Sequence, residues 1–182
     1  MGYSLSPEQK RSILEESGGH PLFLHEMLRY AVFSNDATKA IRLEDALWER
    51  IRDLPANIME LLKVLAIAGA PLSLSIVERA SSLNAGDFHA AVQSARIHYV
   101  AKTTKLEERT TIEAYHSRIR ETVLQHILTT ERIQLHRGLA EALLRSRSKD
   151  ADPHTVLRHL AAAGDKERAA EFARSAAADA AN

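Results

Sequence analysis

The sequence predicts a mainly α protein that carries one small β-hairpin and ends in helical-repeat-like helices. Three observations carry this expectation. Apolar residues recur at three- and four-residue steps along most of the 182-residue chain. Helix starts built on Ser, Asn or Pro and stops built on Gly punctuate it at short intervals. The period changes from 3.6 to 2 in one place, around residues 98–115, where two β-leaning runs flank a charged turn. Apolar residues make up 45% and charged residues 26% of the chain. That is ordinary for a globular protein and excludes wholesale disorder. The length suits one domain or two small ones sharing a core.

Ser6-Pro7-Glu8-Gln9 supplies an N-cap, a proline at the first helical position and a glutamine placed for a capping box. Ile13 and Leu14 follow, and Gly18-Gly19 ends this helix. A second helix opens at Pro21 and turns Leu22, Leu24, Met27, Leu28 and Ala31 toward a core. After the polar loop Asn35–Lys39, Leu43, Leu47, Ile51 and Leu54 define a third helix, with Trp48 beside the stripe as a further core candidate. Pro55 breaks it and opens the next.

Ile58, Leu61, Leu62, Leu65 and Ala66 form an amphipathic helix closed near Gly69-Ala70-Pro71. A short helix starts at Ser75, with Glu78 completing a capping box, and Asn84 caps a third that carries Phe88, Val92, Ala95 and Ile97. The runs His98–Thr103 and Thr110–Tyr115, with Leu106–Arg109 as the turn, complete the order of a winged-helix domain whose wing is the hairpin. Beyond His116 the pattern is helical again: Ile119, Val123 and Ile127, then a restart at Thr130 with Ile133, Leu135, Leu139 and Leu143 on one face. A polar linker, Ser146–Asp152, leads to Pro153–Ala163 and Lys166–Ala181 about the turn Gly164-Asp165. This last pair is similar to one tetratricopeptide-type unit of ~34 residues. Such a unit does not bury both faces alone, so further repeats are expected and the chain reads as a piece of something longer. Alanine fills 12 of the 32 residues from 151 to 182, which suits close packing on more helices. Three segments result: helical 1–53, winged-helix 54–116 and a helical arm 117–182.

Lys plus Arg (24) equals Asp plus Glu (24), so no whole-chain basic field favours nucleic acid. With no cysteine, disulfides, thiolate metal sites and cysteine catalysis are excluded. No apolar run approaches the ~18 residues of a membrane span. Met1-Gly2-Tyr3-Ser4-Leu5-Ser6 fits the N-myristoylation pattern, a motif short enough to match by accident. The chain holds no G-x-x-x-x-G-K-[ST] phosphate loop and no strand ending in paired acids for magnesium, so no self-sufficient ATPase and no catalytic residue is expected. There is no H-E-x-x-H. His154 and His159, five apart, are about 140° apart on a helix, and His116, His126 and His136 rotate by about 80° at each step. No metal site is expected. Glu15-Glu16 and Glu107-Glu108 read as solvated surface.

Three segments in order carry a family resemblance. Ser17-Gly18-Gly19-His20-Pro21-Leu22-Phe23-Leu24 resembles the glycine–any–proline signature that starts the lid helix of signal-transduction ATPases with numerous domains (STAND ATPases). Ile112–Ile119 resembles their passage from the wing through a histidine into a helix. His159–Asp165, with Ala169–Phe172, looks like the first helical repeat of their sensor arm. The resemblance implies a bacterial, cytoplasmic regulator, with this chain following the nucleotide-binding core. Residues 1–53 would be lid helices. No cofactor is expected here, and ATP or ADP would belong to the parent protein.

Two site residues are implied by the resemblance. Pro21 matches the lid proline that packs on the adenine edge; the alternative is a proline opening a helix after a glycine turn. His116 matches the histidine that reaches the β-phosphate of ADP, whereas a junction histidine serving as a cap is the competing reading. The family often has an acid next, where this chain has Ser117. The implied partners are the chain's own upstream nucleotide-binding domain and a protein or small-molecule ligand at the arm. The fragment would be monomeric and the parent capable of oligomerising. The alternative function is a DNA-binding winged-helix transcription regulator, with helix Ala85–Ile97 in the major groove and Lys102, Lys105 and Arg109 on phosphates. That helix has Arg96 as its only Lys or Arg, offset by Asp87, so nucleic acid is the weaker expectation.

Overall fold

The computed structural model describes residues 5–34, 40–106, 109–146 and 152–180. The N-terminal Met1–Ser4, the Asn35–Lys39 loop, Glu107-Glu108, most of the 146–152 linker and the last two residues lie outside them. The chain divides into two compact units, residues 1–55 and 56–182.

The first unit holds α1 (Pro7–Ser17), α2 (Pro21–Phe33) and α3 (Leu43–Arg52), which pack on one another. The capping box forms as expected: the Ser6 hydroxyl accepts from the Gln9 N–H and the Gln9 side chain accepts from the Ser6 N–H, both at 3.1 Å. Gly18, with φ 55°, closes α1 in the left-handed region.

The buried face of α2 differs from the sequence expectation. Phe23, Glu26, Met27 and Ala31 are buried, Leu22 and Leu24 are half-buried, and Leu28 is 39% exposed. The helix is apolar nearly all round, so periodicity leaves its rotation open. The Glu26 carboxylate decides it by accepting from Arg50 on α3 and from Arg29 at 3.1 Å. Two other expectations are corrected. Glu16 is not idle surface, because its carboxylate accepts from the Leu43 N–H at 2.6 Å and so caps α3. Trp48 is half-buried at the side of the stripe rather than in the core.

The second unit runs α4 (Ala56–Ala68), β1 (Leu72–Ser73), α5 (Leu74–Ala80), α6 (Ala85–Ile97), β2 (Ala101–Leu106), β3 (Arg109–Ala114), α7 (Ser117–Gln125), α8 (Thr129–Leu144), α9 (Pro153–Ala162) and α10 (Lys166–Ala180). The protein is thus mainly helical with a small antiparallel sheet, as the sequence predicts. The strands lie in the order β1-β3-β2, with Ile112 of β3 opposite Leu72 on one side and Thr103 on the other. Helix, strand, helix, helix and hairpin follow in the winged-helix order. α4 is the hub, packing on α5, α6, α7, α8 and β3. Its residues from Val64 to Ala68 are all buried, which is the signature of a core helix.

Asn84 caps α6 as expected, its side chain accepting from the Asp87 N–H. Four local details differ. The two-residue β1 carries no periodicity and exists only because β3 offers it an edge. Ser75 is inside α5 rather than at its cap; Ser73 takes that position without a side-chain cap bond. β2 starts at Ala101 instead of His98, because His98 and Tyr99 finish α6. The Tyr99 N–H reaches Arg96 O and the Val100 N–H reaches Ala95 O, with Tyr99 at φ 52°. Ile97, expected in the core, is 73% exposed on that last turn.

In the remaining helices Ile119, Val123, Leu135, Leu139 and Leu143 are buried as their periodicity predicts; Ile133 is half-buried, and Ile127 is buried but lies in the link between α7 and α8, because α7 ends at Gln125. α7 and α8 pack on α4, α8 also on α5, α9 on α8, and α10 on α9. Asp152 caps α9 by accepting from the Thr155 N–H and hydroxyl, both at 3.0 Å; these bonds hold its carboxyl below the usual range. Gly164, at φ 78°, makes the turn between α9 and α10. Among the described residues no helix is long and apolar enough to cross a membrane.

Candidate functional site

His116 stands where β3 ends and α7 begins. Its backbone is extended, and its Nδ1 accepts from the Arg118 N–H at 3.2 Å, so the ring caps the helix. In a neutral ring whose Nδ1 accepts, the proton is on Nε2. The Ser117 hydroxyl lies 3.5 Å from the same Nδ1.

One turn further along, Arg120 reaches across to α4. Its Nε donates to Ala66 O at 3.0 Å, which places a guanidinium on the carbonyl end of that helix, where the dipole favours a cation. Gly69 turns the chain away from α4 at φ 73°, and a Cβ there would meet the Arg120 guanidinium at 3.1 Å. The left-handed turn and the close approach both call for glycine.

These elements enclose a cleft of about 170 Å³ lined by Leu65, Gly69, Ala70, Glu113, Ala114, His116, Ser117 and Arg120. Its chemistry suits an anion on one side: an imidazole donor, a hydroxyl, a guanidinium and the positive end of a nine-residue helix. Glu113 opposes that field, although Lys102 sits 3.4 Å from its carboxylate. Whole-ligand pockets run to roughly 300–1,000 Å³, so the cleft has room for a phosphate end and not for a whole nucleotide.

Pro21 opens α2 at its first position and is exposed. Before it, Gly18 and Gly19 both have positive φ, and His20 stacks on Phe23 with centroids 4.4 Å apart. Pro21 belongs to the unit 1–55 and His116 to the unit 56–182. Among the described residues no group of three or more His, Asp or Glu side chains is placed to hold a metal ion.

A second constellation escapes the sequence reading. His136 of α8 and His159 of α9 meet with Nδ1 atoms 2.8 Å apart, and His159 is fully buried. The helical spacing of His154 and His159 says nothing about a partner 23 positions away on another helix. Burial first, then the Arg158 guanidinium and His136, push the His159 imidazole down to about 3. Burial, then Arg158 and Arg132, lower that of His136.

No protein-family model and no curated protein matches the chain. The STAND resemblance therefore rests on the three motifs quoted above.

Proposed function

We propose that the chain is the regulatory and interaction part of a multidomain STAND-type signal-transduction ATPase. Lid helices and winged helix close over ADP held by a separate nucleotide-binding core, and the α7–α10 arm relays ligand or partner binding. The chain itself performs no catalysis in this reading. Pro21 packs on the adenine edge, and His116 donates from Nε2 to a phosphate while its Nδ1 caps α7. Binding at the arm, followed by nucleotide exchange, shifts the population to an open form that oligomerises.

The observation that supports this reading best is the convergence of His116, Ser117 and Arg120 in a cleft sized for a phosphate end. The cap bond also explains how the histidine keeps its orientation with Ser117 in place of an acid. The winged helix offers DNA little by comparison. Lys102 is engaged by Glu113, and Arg96, near the end of α6, is the only Lys or Arg of that helix.

An amide-resonance titration of this chain with pyrophosphate and ADP tests the reading directly. Millimolar binding with shifts centred on Gly69, Ser117 and Arg118, abolished by Arg120→Gln, is expected. In the full-length parent, His116→Asn should speed ADP release by roughly 10- to 150-fold, the range for a lost hydrogen bond to a charged group. No shifts with pyrophosphate and unchanged ADP release overturn the proposal. Sub-micromolar, salt-dependent binding of a duplex would replace it with the DNA-binding reading.

A further inference from the structure

The His136–His159 contact sits where three helices meet. Arg158 precedes His159 on α9. One terminal nitrogen of its guanidinium donates to Ala68 O, at the end of α4, at 2.8 Å and lies 3.4 Å from His159 Nε2. A guanidinium has no acceptor, so Nε2 of His159 accepts from it. The His159 proton is then on Nδ1 and is donated to Nδ1 of His136, whose own proton is on Nε2. The tautomers form one directed chain from Arg158 through both rings, and every nitrogen along it has its role assigned.

Such a chain has no place for another proton. Protonating His159 at Nε2 would set an N–H against the Arg158 N–H groups. Protonating His136 at Nδ1 would set two N–H groups against each other 2.8 Å apart. The charges acting on the rings, Arg158 and Arg132, are both cationic, so no carboxylate offsets the gain. Charged groups on the packed elements have partners of their own. Lys63 of α4 pairs with Glu131 of α8 at 2.5 Å, Glu60 of α4 accepts from Ser82, and Arg79 of α5 donates to Ser75 O. Arg168 of α10 pairs with Asp165, and Arg174 donates to Ala170 O. No carboxylate, Glu78 of α5 and Glu171 of α10 included, is among the charges that shift either ring.

We propose that His136, His159 and Arg158 form an acid-opened clasp: while both rings are neutral it holds the α9–α10 hairpin on α8 and on the end of α4, and protonation releases the hairpin. Release uncovers Val156 and Leu160, which are buried while the hairpin is docked. The inference does not depend on the nucleotide reading, since neither ring lines the His116 cleft.

The sign and size follow from linkage. His159 binds its proton near 6.5 when released and only at about 3 when docked. Docking is therefore unaffected by this group above neutrality and weakens as pH falls from 6.5 toward 3. Between pH 7.5 and 5.0 the opening equilibrium should rise about 30-fold from His159 alone, with His136 adding in the same sense.

Native-state hydrogen exchange, corrected for intrinsic rates, tests this on the whole chain. We expect α9 and α10 amides to lose about 30-fold protection between pH 7.5 and 5.0, while α4 and α6 change by less than about threefold. In His159→Leu the pH ratio for α9 and α10 should fall below about threefold, whatever the variant's absolute stability. Imidazole nitrogen shifts of the unmodified protein provide a second readout: His159 protonated on Nδ1, His136 on Nε2. Equal losses in α4 and α9, an unchanged ratio in the variant, or the opposite tautomers would overturn the clasp.

Discussion

The observed cap and the proposed phosphate contact of His116 can be separated by two substitutions at one position. Its Nδ1 satisfies the Arg118 N–H at the start of α7, so His116→Ala leaves that donor without its side-chain acceptor. Losing a side-chain N-cap costs about 1 kcal/mol, in a range of roughly 0.5–2. For a unit of this size that lowers Tm by about 4 °C. His116→Asn restores an acceptor of the kind most favoured at N-caps and should keep Tm within about 1 °C of the parent residue, or raise it. What Asn does not reproduce is the imidazole Nε2 that the proposed function assigns to the phosphate. Thermal melts followed by far-ultraviolet circular dichroism read the cap, and pyrophosphate titration reads the donor. The expected pattern is that Ala loses both stability and anion response, while Asn loses the anion response only. A Tm for His116→Ala unchanged within 1 °C, or Asn as destabilised as Ala, would refute the cap argument. An anion response intact in Asn would refute the donor.

Glu26 is 3% exposed and accepts from Arg50 and Arg29, so Glu26→Leu should remove the acceptor these two guanidinium groups share and destabilise the unit 1–55 by roughly 1.5–3 kcal/mol. Glu26→Leu/Arg50→Met should recover most of that loss. Trp48, the chain's single tryptophan, reports on this unit in urea melts followed by fluorescence. A loss under about 1 kcal/mol for the single variant, or no recovery in the double, contradicts the pairing argument. Gly69→Ala should cost about 1–2 kcal/mol from the left-handed backbone, with more from displacing the Arg120 guanidinium. Urea titrations of Gly69→Ala, Arg120→Ala and the double variant check this. The double should be less destabilised than the sum of the singles, and strict additivity would show that the close approach carries no energy.

How much of this was legible from residue order depends on the range of the interaction. The Ser6–Gln9 box, the Asn84 cap, the glycine closures at Gly18 and Gly69 and the stripes of α7 and α8 are all made within a few residues. Local geometry determines them, and the sequence states it directly. The helix–hairpin order follows for the same reason, because a switch of period from 3.6 to 2 is a local signal. Where local signals were balanced, packing chose. α2 is apolar on almost every face, and its packing on α1 and α3, with the ion pair from Glu26 to Arg50 on α3, selects which residues turn inward. β1 is two residues long and has no pattern of its own; the open edge of β3 makes it a strand. Tyr99 occupies a left-handed position usually given to glycine, which moved the start of β2 three residues past the start of the β-leaning run. The site divides along the same line. Pro21 and His116 are candidates marked by motif alone, and the cap made by His116 bridges two residues. Arg120 enters the cleft through a bond to Ala66, 54 positions away, and His136 finds His159 across 23. Contacts of that span leave no periodic trace, because each side chain satisfies its own helix equally well before the two helices meet.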